Sequence, residues 1–153
     1  MAQYPTSDLA LRFDPTGFAC DLAIEDGDLA LDATPATPML VSLGSDRRAA
    51  SDDVLPDGVS PLTAPARWDR RRGWVGDCLE TTGRRIGLWL LSREHESEET
   101  RLRADRIATE ALAWAQRDLG LTPDIEVSWI RRGILKIRAF IDGRSVTLQR
   151  RVT

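Results

Sequence analysis

The sequence predicts an α+β fold: an N-terminal β-hairpin, central helices and a C-terminal antiparallel β-meander. Short runs of alternating apolar residues, punctuated by Asp-Gly pairs, stand near both ends of the chain, the pattern of strands and tight turns. The stretch between Ser97 and Gly120 keeps its apolar residues at helical spacing instead. The 153 residues, 42% hydrophobic and 29% charged, suffice for one domain (residues 1–153) with a single core.

Leu9, Leu11 and Phe13 alternate with small or polar neighbours before the turn sequence Asp14-Pro15-Thr16-Gly17. Cys20–Ile24 and Asp28–Ala33 read as strands joined at Glu25-Asp26-Gly27, an acidic hairpin turn. An Asp-Gly turn needs no metal, and EF-hand ligand spacing is absent. Thr34, Pro35, Thr37 and Pro38 mark the first turn of a short helix whose buried stripe is Met39, Leu40 and Leu43. Residues 44–66, rich in Gly, Ser, Asp, Pro and Ala, read as a long loop.

Ile86, Leu88, Trp89, Leu90 and Leu91 form the most apolar cluster, and Gly83 and Gly87 limit it to a short helix. Ser97-Glu98-Glu99 opens the long helix with a Ser cap and acids in its first turn. Ala104, Ile107, Ala108, Ala111, Leu112, Ala115 and Leu119 line one face, Trp114 lies beside them, and Gly120 supplies the stop. Ile125, Val127 and Trp129 begin the meander. Arg132-Gly133 turns into Ile134–Ile141, and Asp142-Gly143, a type I′ signal, turns into Ser145–Val152 with Val146 and Leu148 on one face.

The chemistry of an enzyme is missing from this pattern. His95, the one histidine, lies between Glu94 and Glu96 in a polar connector with no nucleophile beside it. There is no Cys/His metal spacing, no phosphate-binding glycine loop and no Gly-x-Ser-x-Gly elbow, so no cofactor and no catalysis are expected. Cys20 and Cys78 read as reduced thiols of a cytosolic protein rather than a disulfide scaffold. No apolar run is long enough to span a membrane, and no basic-then-apolar leader opens the chain.

The net charge of −3 hides a split. Residues 1–62 hold 3 arginines and 11 acids, a balance of −8; residues 63–153 hold 18 basic groups and 13 acids, a balance of +5. Such asymmetry fits oriented docking to partners, or neutralisation of one half by the other within the fold. The arginine clusters at Arg70–Arg72, Arg84-Arg85, Arg131-Arg132 and Arg150-Arg151 offer an alternative reading as a nucleic-acid-binding module. An acidic chain whose basic half carries 13 acids weighs against it, because counterion release needs a clear positive stripe.

Trp68-Asp69-Arg70-Arg71-Arg72-Gly73-Trp74-Val75-Gly76-Asp77 is the densest mixture of Trp and Arg. Trp is costly to leave wet and Arg is costly to bury unpaired, so a partner must organise this run. The expectation is that Trp74 anchors the turn inward while Arg70, Arg71 and Arg72 stay available to a neighbour. Substituting the three arginines then spares folding and harms assembly.

Several segments, taken in order, resemble a known family. Phe13-Asp14-Pro15 and the acidic hairpin of residues 21–32 are followed by Ser42-Leu43, Ser45-Asp46-Arg47-Arg48-Ala49 and Leu55-Pro56-Asp57-Gly58. Arg71-Arg72-Gly73-Trp74-Val75-Gly76-Asp77 and Leu88-Trp89-Leu90-Leu91 complete the series. This order resembles the Mu-like phage baseplate protein family. That family is similar to the baseplate wedge protein, or sheath initiator, of larger contractile tails and to its type VI secretion counterpart.

The resemblance implies a non-catalytic structural protein of the virion tail baseplate, made in the bacterial host cytoplasm. Its implied partners are other wedge proteins and the tail sheath, with tube or hub proteins beyond them, and neither membrane nor nucleic acid. It further implies that the C-terminal hairpin offers a strand edge to the first sheath ring. Arg144, Val146, Leu148 and Arg150 are then the contacts to sheath, and Arg70, Arg71, Arg72 and Trp74 the contacts to wedge neighbours. Deleting Ser145–Thr153 is expected to leave a soluble protein that cannot start a sheath. The Glu-Pro-Arg motif of the larger-tail family is replaced here by Gly120-Leu121-Thr122-Pro123-Asp124, so its core contact does not transfer.

Overall fold

The computed structural model describes residues 8–14, 16, 19–50, 53–58, 71–74 and 85–152. Its architecture is α+β: short antiparallel strand pairs, two helices and a three-stranded antiparallel sheet.

The N-terminal strands pair in an unexpected way. β1 (Asp8–Leu9) pairs with β6 (Leu31–Asp32), β2 (Leu11–Asp14) with β3 (Ala19–Leu22), and β4 (Ile24–Glu25) with β5 (Asp28–Leu29). The hairpin expected at Asp26-Gly27 is present, with both turn residues at positive φ (53° and 82°), but it is one arm of three. The arms meet at three alanines. Ala10 N–H donates to Ala30 O (2.8 Å), Ala23 N–H to Ala10 O (2.8 Å) and Ala30 N–H to Ala23 O (2.9 Å), closing a ring of backbone hydrogen bonds.

A sequence repeat underlies this junction: Asp8-Leu9-Ala10-Leu11, Asp21-Leu22-Ala23-Ile24 and Asp28-Leu29-Ala30-Leu31. In each copy the aspartate Oδ1 accepts the N–H of the next leucine, at 2.8, 2.8 and 2.7 Å. Strand alternation turns the alanine to one face and its two neighbours to the other. Ala23 and Ala30 are accordingly buried, whereas Ile24 and Leu31 are about 70% exposed and Leu9, Leu22 and Leu29 lie between 38% and 44%. Leucine-flanked alanines thus build a rosette of apolar side chains facing solvent.

Asp32 fastens this junction to α1 (Ala36–Gly44). Its carboxylate accepts Thr34 N–H (2.9 Å) and Oγ1 (2.6 Å) on one oxygen and Thr37 N–H (3.0 Å) on the other, satisfying an amide of the helix's first turn. Thr37 Oγ1 in turn accepts Leu11 N–H (3.1 Å). Burial pushes the Asp32 carboxyl up, but the hydrogen bonds from Thr34 and Thr37 outweigh it and hold its pKa below the usual carboxylate value. A depressed folded-state pKa contributes stability above the unfolded value that is lost as pH falls through the folded one. Asp32→Ala is therefore expected to cost about 1 kcal/mol in urea denaturation at neutral pH. The gap from the parent should narrow below about pH 4; a gap that is constant down to acid would exclude the carboxylate as its source.

The long helix α2 (Glu98–Leu119) starts and stops where capping chemistry dictates. Ser97 Oγ accepts Thr100 N–H (3.1 Å), and Gly120 takes the left-handed conformation at φ 68°. Gly120 N–H donates to Gln116 O (3.1 Å) and Leu121 N–H reaches back to Ala115 O (3.1 Å), so carbonyls of the last turn are satisfied across the left-handed glycine. Ala104, Ala108, Ala111 and Ala115 are all 0–1% exposed, and such small side chains let the helix axis approach the sheet.

That sheet runs β7 (Asp124–Arg131), β8 (Ile134–Ile141), β9 (Arg144–Arg151), with β8 central. Its inner face carries Val127, Leu135, Ile137, Ala139 and Ile141, all buried in one cluster with α1, α2 and Val152. Helix α2 packs mainly on β7 and α1 on β9. Trp114 Nε1–H donates to Ser42 Oγ (3.0 Å) and joins the two helices inside the core. The expected short helix near Leu91 is a single 3₁₀ turn, Leu88–Leu91, buried throughout.

Candidate interaction surfaces

The segment after α1 is held as a strand-like strip between two others. Arg47 N–H donates to Ile86 O (3.0 Å) on one side. On the other, Ala49 N–H donates to Arg71 O (2.9 Å) and Trp74 N–H to Asp46 O (3.2 Å). Gly73 sits at φ 104°, and a Cβ there would lie 2.7 Å from Arg48 Cβ and 3.0 Å from its Cα, so the close approach of the two strips requires glycine.

The Trp and Arg side chains of this region reverse the expected roles. Trp89, 3% exposed, is the inward tryptophan: it packs with Ala49, Leu55 and Leu90, and its Nε1–H donates to Arg47 O at 2.9 Å. Trp74 is not turned inward; it is 48% exposed, with the Arg85 guanidinium 4.6 Å from its ring centroid. Trp74 follows Gly73 on an outer strip, whereas Trp89 stands in the apolar 3₁₀ turn, and burial follows that placement.

Nor are the described arginines of the run left to a neighbour. Arg71 Nη1 donates to Ala50 O (2.6 Å) and Ala49 O (3.3 Å). Arg72 Nη1 meets Asp46 Oδ2 (3.2 Å), and its guanidinium lies 5.2 Å from the Trp89 centroid. Arg70 lies outside the described residues, as do Trp68 and the Val75–Asp77 part of the run. Replacing all three arginines would thus remove internal bonds as well as surface charge, so such a variant does not test assembly alone.

The C-terminal candidates divide in the same way. Val146 and Leu148 are half-buried, packed against the core from the inner face of β9. Arg144 is exposed beside the Asp142-Gly143 turn. Arg150 Nη2 is 3.9 Å from Asp46 Oδ1, so Asp46 joins the last strand to the Trp-Arg strip. Asp46, Arg47 and Arg85 bear interactions here, whereas the sequence reading used Asp46 and Arg47 only within the Ser45–Ala49 segment of the family resemblance and Arg85 only within an arginine cluster. A Ser-Asp-Arg-Arg run at the end of a helix was the available signal.

What β9 does present is backbone. It is an edge of the sheet, paired on one side with β8 in the register Ile141↔Arg144 to Ile134↔Arg151. Two-residue closure at Asp142-Gly143 makes the Ile141–Arg144 pair hydrogen-bonded. The bond from Val152 N–H to Gly133 O (2.9 Å) keeps the same parity at the other end. Amides of Ser145, Thr147, Gln149 and Arg151 therefore point away from β8, along the open edge.

His95 lines a hollow of about 720 Å³ with Arg93, Glu94, Glu96, Arg132 and Gly133. Glu94 pairs with Arg103 (2.5 Å) and Glu96 Oε2 accepts Gly133 N–H (3.0 Å), so both flanking carboxylates already serve the fold. Among the described residues no group of three or more His, Cys, Asp or Glu side chains is placed to hold a metal, and no helix is long and apolar enough to cross a membrane. Cys20 is exposed on the β2–β3 arm, and Cys78 lies outside the described residues.

The profile of the family described as phage protein GP46 matches residues 35–150, from the start of α1 to the end of β9. The chain belongs to that family. The match takes in both the Trp-Arg strip and the β9 edge of this GP46-family chain, and begins just after the three-armed junction. Over 94 residues the chain is 40% identical to baseplate protein gp46 of Escherichia phage Mu. The aligned stretch is 61% of this chain and 59% of that protein, so the chain spans under two thirds of its relative's length. No solved structure matches the GP46-family chain.

Proposed function

We propose that this chain is a non-catalytic structural component of a contractile phage, or prophage-derived, tail baseplate. In this reading it joins neighbouring wedge proteins and starts the sheath by strand addition to β9. The observation that carries the baseplate role is the 40% identity to the Mu baseplate protein over 94 residues. The sheath role is supported by the open β9 edge, because strand addition draws affinity from backbone hydrogen bonds. Among the described residues β9 leaves an eight-residue edge unpaired, and such an edge is an aggregation hazard unless a partner covers it. The half-exposed Trp74 on its Arg85 is the wedge-facing candidate, since Trp and Arg dominate interface energetics. The nucleic-acid alternative loses ground because Arg71 and Arg72 are engaged in the fold.

Thr147→Pro tests the sheath role. It removes an outward amide without removing a β8–β9 ladder bond, and proline is tolerated on sheet edges. The expected variant folds, enters particles, and yields baseplates with tubes but no sheath by electron microscopy. Normal sheathed tails from that variant would sink the strand-addition part; loss of the chain from purified tails while its fold persists would point to a different docking surface.

A further inference from the structure

We propose, resting on the strand-addition reading of β9, that its open edge selects a strand of defined chemistry. That strand carries a carboxylate at each end and alternates apolar with polar residues between them. The eight residues of β9 hold three arginines and no acid, with the arginines at the two ends. Arg150 is half-buried with Asp46 3.9 Å away. Arg144 and Arg151 are exposed, and among the described residues neither forms an ion pair, unlike Arg47, Arg72, Arg101 and Arg103.

The closed side of the strand does not neutralise them. Directly across the ladder on β8, Arg144 faces Ile141 and Arg151 faces Ile134. A carboxylate opposite either arginine therefore comes from the open side, where a residue of an added strand stands about 5 Å away. Between the ends the edge changes character. Val146 and Leu148 project from the inner face, half-buried, and among the described residues no strand flanks them on the open side. Ser145, Thr147 and Gln149 project from the outer face and are uncharged. Apolar residues of the added strand would extend the inner face, and polar ones the outer face. The same charges exclude a second β9 as the occupant. Two copies paired antiparallel in full register would set Arg144 against Arg151 at both ends, and like charges directly opposite are destabilising. The two arginines thus bar self-pairing at an open edge and favour an acidic strand in its place.

The test follows the backbone amides of the full chain by nuclear magnetic resonance, with two capped peptides as long as β9. Both alternate valine and threonine; one has glutamate at each end and the other lysine. The glutamate peptide should shift the amides of Ser145, Thr147, Gln149 and Arg151 and slow their hydrogen exchange. It should bind at least about tenfold more tightly than the lysine peptide at low salt, a preference that shrinks at about 0.5 M salt. Arg144→Gln with Arg151→Gln should remove the preference while the amides still respond. Equal binding of the two peptides to the parent protein overturns the charge selection and leaves strand addition standing. If neither peptide moves those amides at millimolar concentration, both readings fall. Shifts of the same amides on concentrating the protein alone would make a second copy the occupant and overturn the proposal as well.

Discussion

Trp89→Ala is expected to lower the stability of the protein by about 4 kcal/mol, read as a shift of the urea midpoint. Three contributions converge on this indole. It is 3% exposed among Ala49, Leu55 and Leu90, its N–H satisfies Arg47 O, and Arg72 lies over its ring. Truncation leaves a cavity, an unmet carbonyl and a cation without its aromatic face. Trp89→Phe keeps most of the apolar contact and loses the hydrogen bond, at a cost of about 1–2 kcal/mol. Trp74→Ala, by contrast, should change stability by less than about 1 kcal/mol, because half of that ring is already in water. Equal losses at both tryptophans would refute this division between an internal and an external residue.

The features legible in the sequence are those decided within a few residues. Ser97 and Gly120 bracket α2 because a hydroxyl cap and a left-handed glycine act on the adjacent turn. Asp142-Gly143 specifies its hairpin for the same local reason, with positive φ at both residues. The three-armed junction was not legible as a hairpin pattern, since each continuous stretch (8–14, 19–25 and 28–32) divides its pairing between two others. Its one local trace is the thrice-repeated Asp-Leu-Ala-Leu/Ile, which a search for short repeats detects. Composition placed Trp and Arg together near residue 70 but could not say which tryptophan is inside. That depends on Gly73 approaching Arg48 and on Asp46 meeting both Arg72 and Arg150, contacts between residues 25 to 104 apart in the chain.

Deletion of Ser145–Thr153 is expected to abolish folding, contrary to the soluble product that its place at a hairpin end suggests. β9 is an edge in hydrogen bonding but not in packing. Its Val146 and Leu148 lie against the core, Val152 is 0% exposed, and α1 rests on this strand. Removing three such side chains forfeits roughly 5 kcal/mol of apolar burial, before the exposed flank of α1 and the unpaired edge of β8 are counted. A domain with about 5–15 kcal/mol of net stability does not survive that loss. The deleted chain should show no cooperative thermal transition and should bind a hydrophobic dye, whereas Thr147→Pro should keep both the transition and the native baseline. A cooperative transition in the deletion would mean that α1 and α2 close the core without β9. The contrast separates the two sides of one strand: the inner side chains hold the fold, and the outward amides are what remains for a partner.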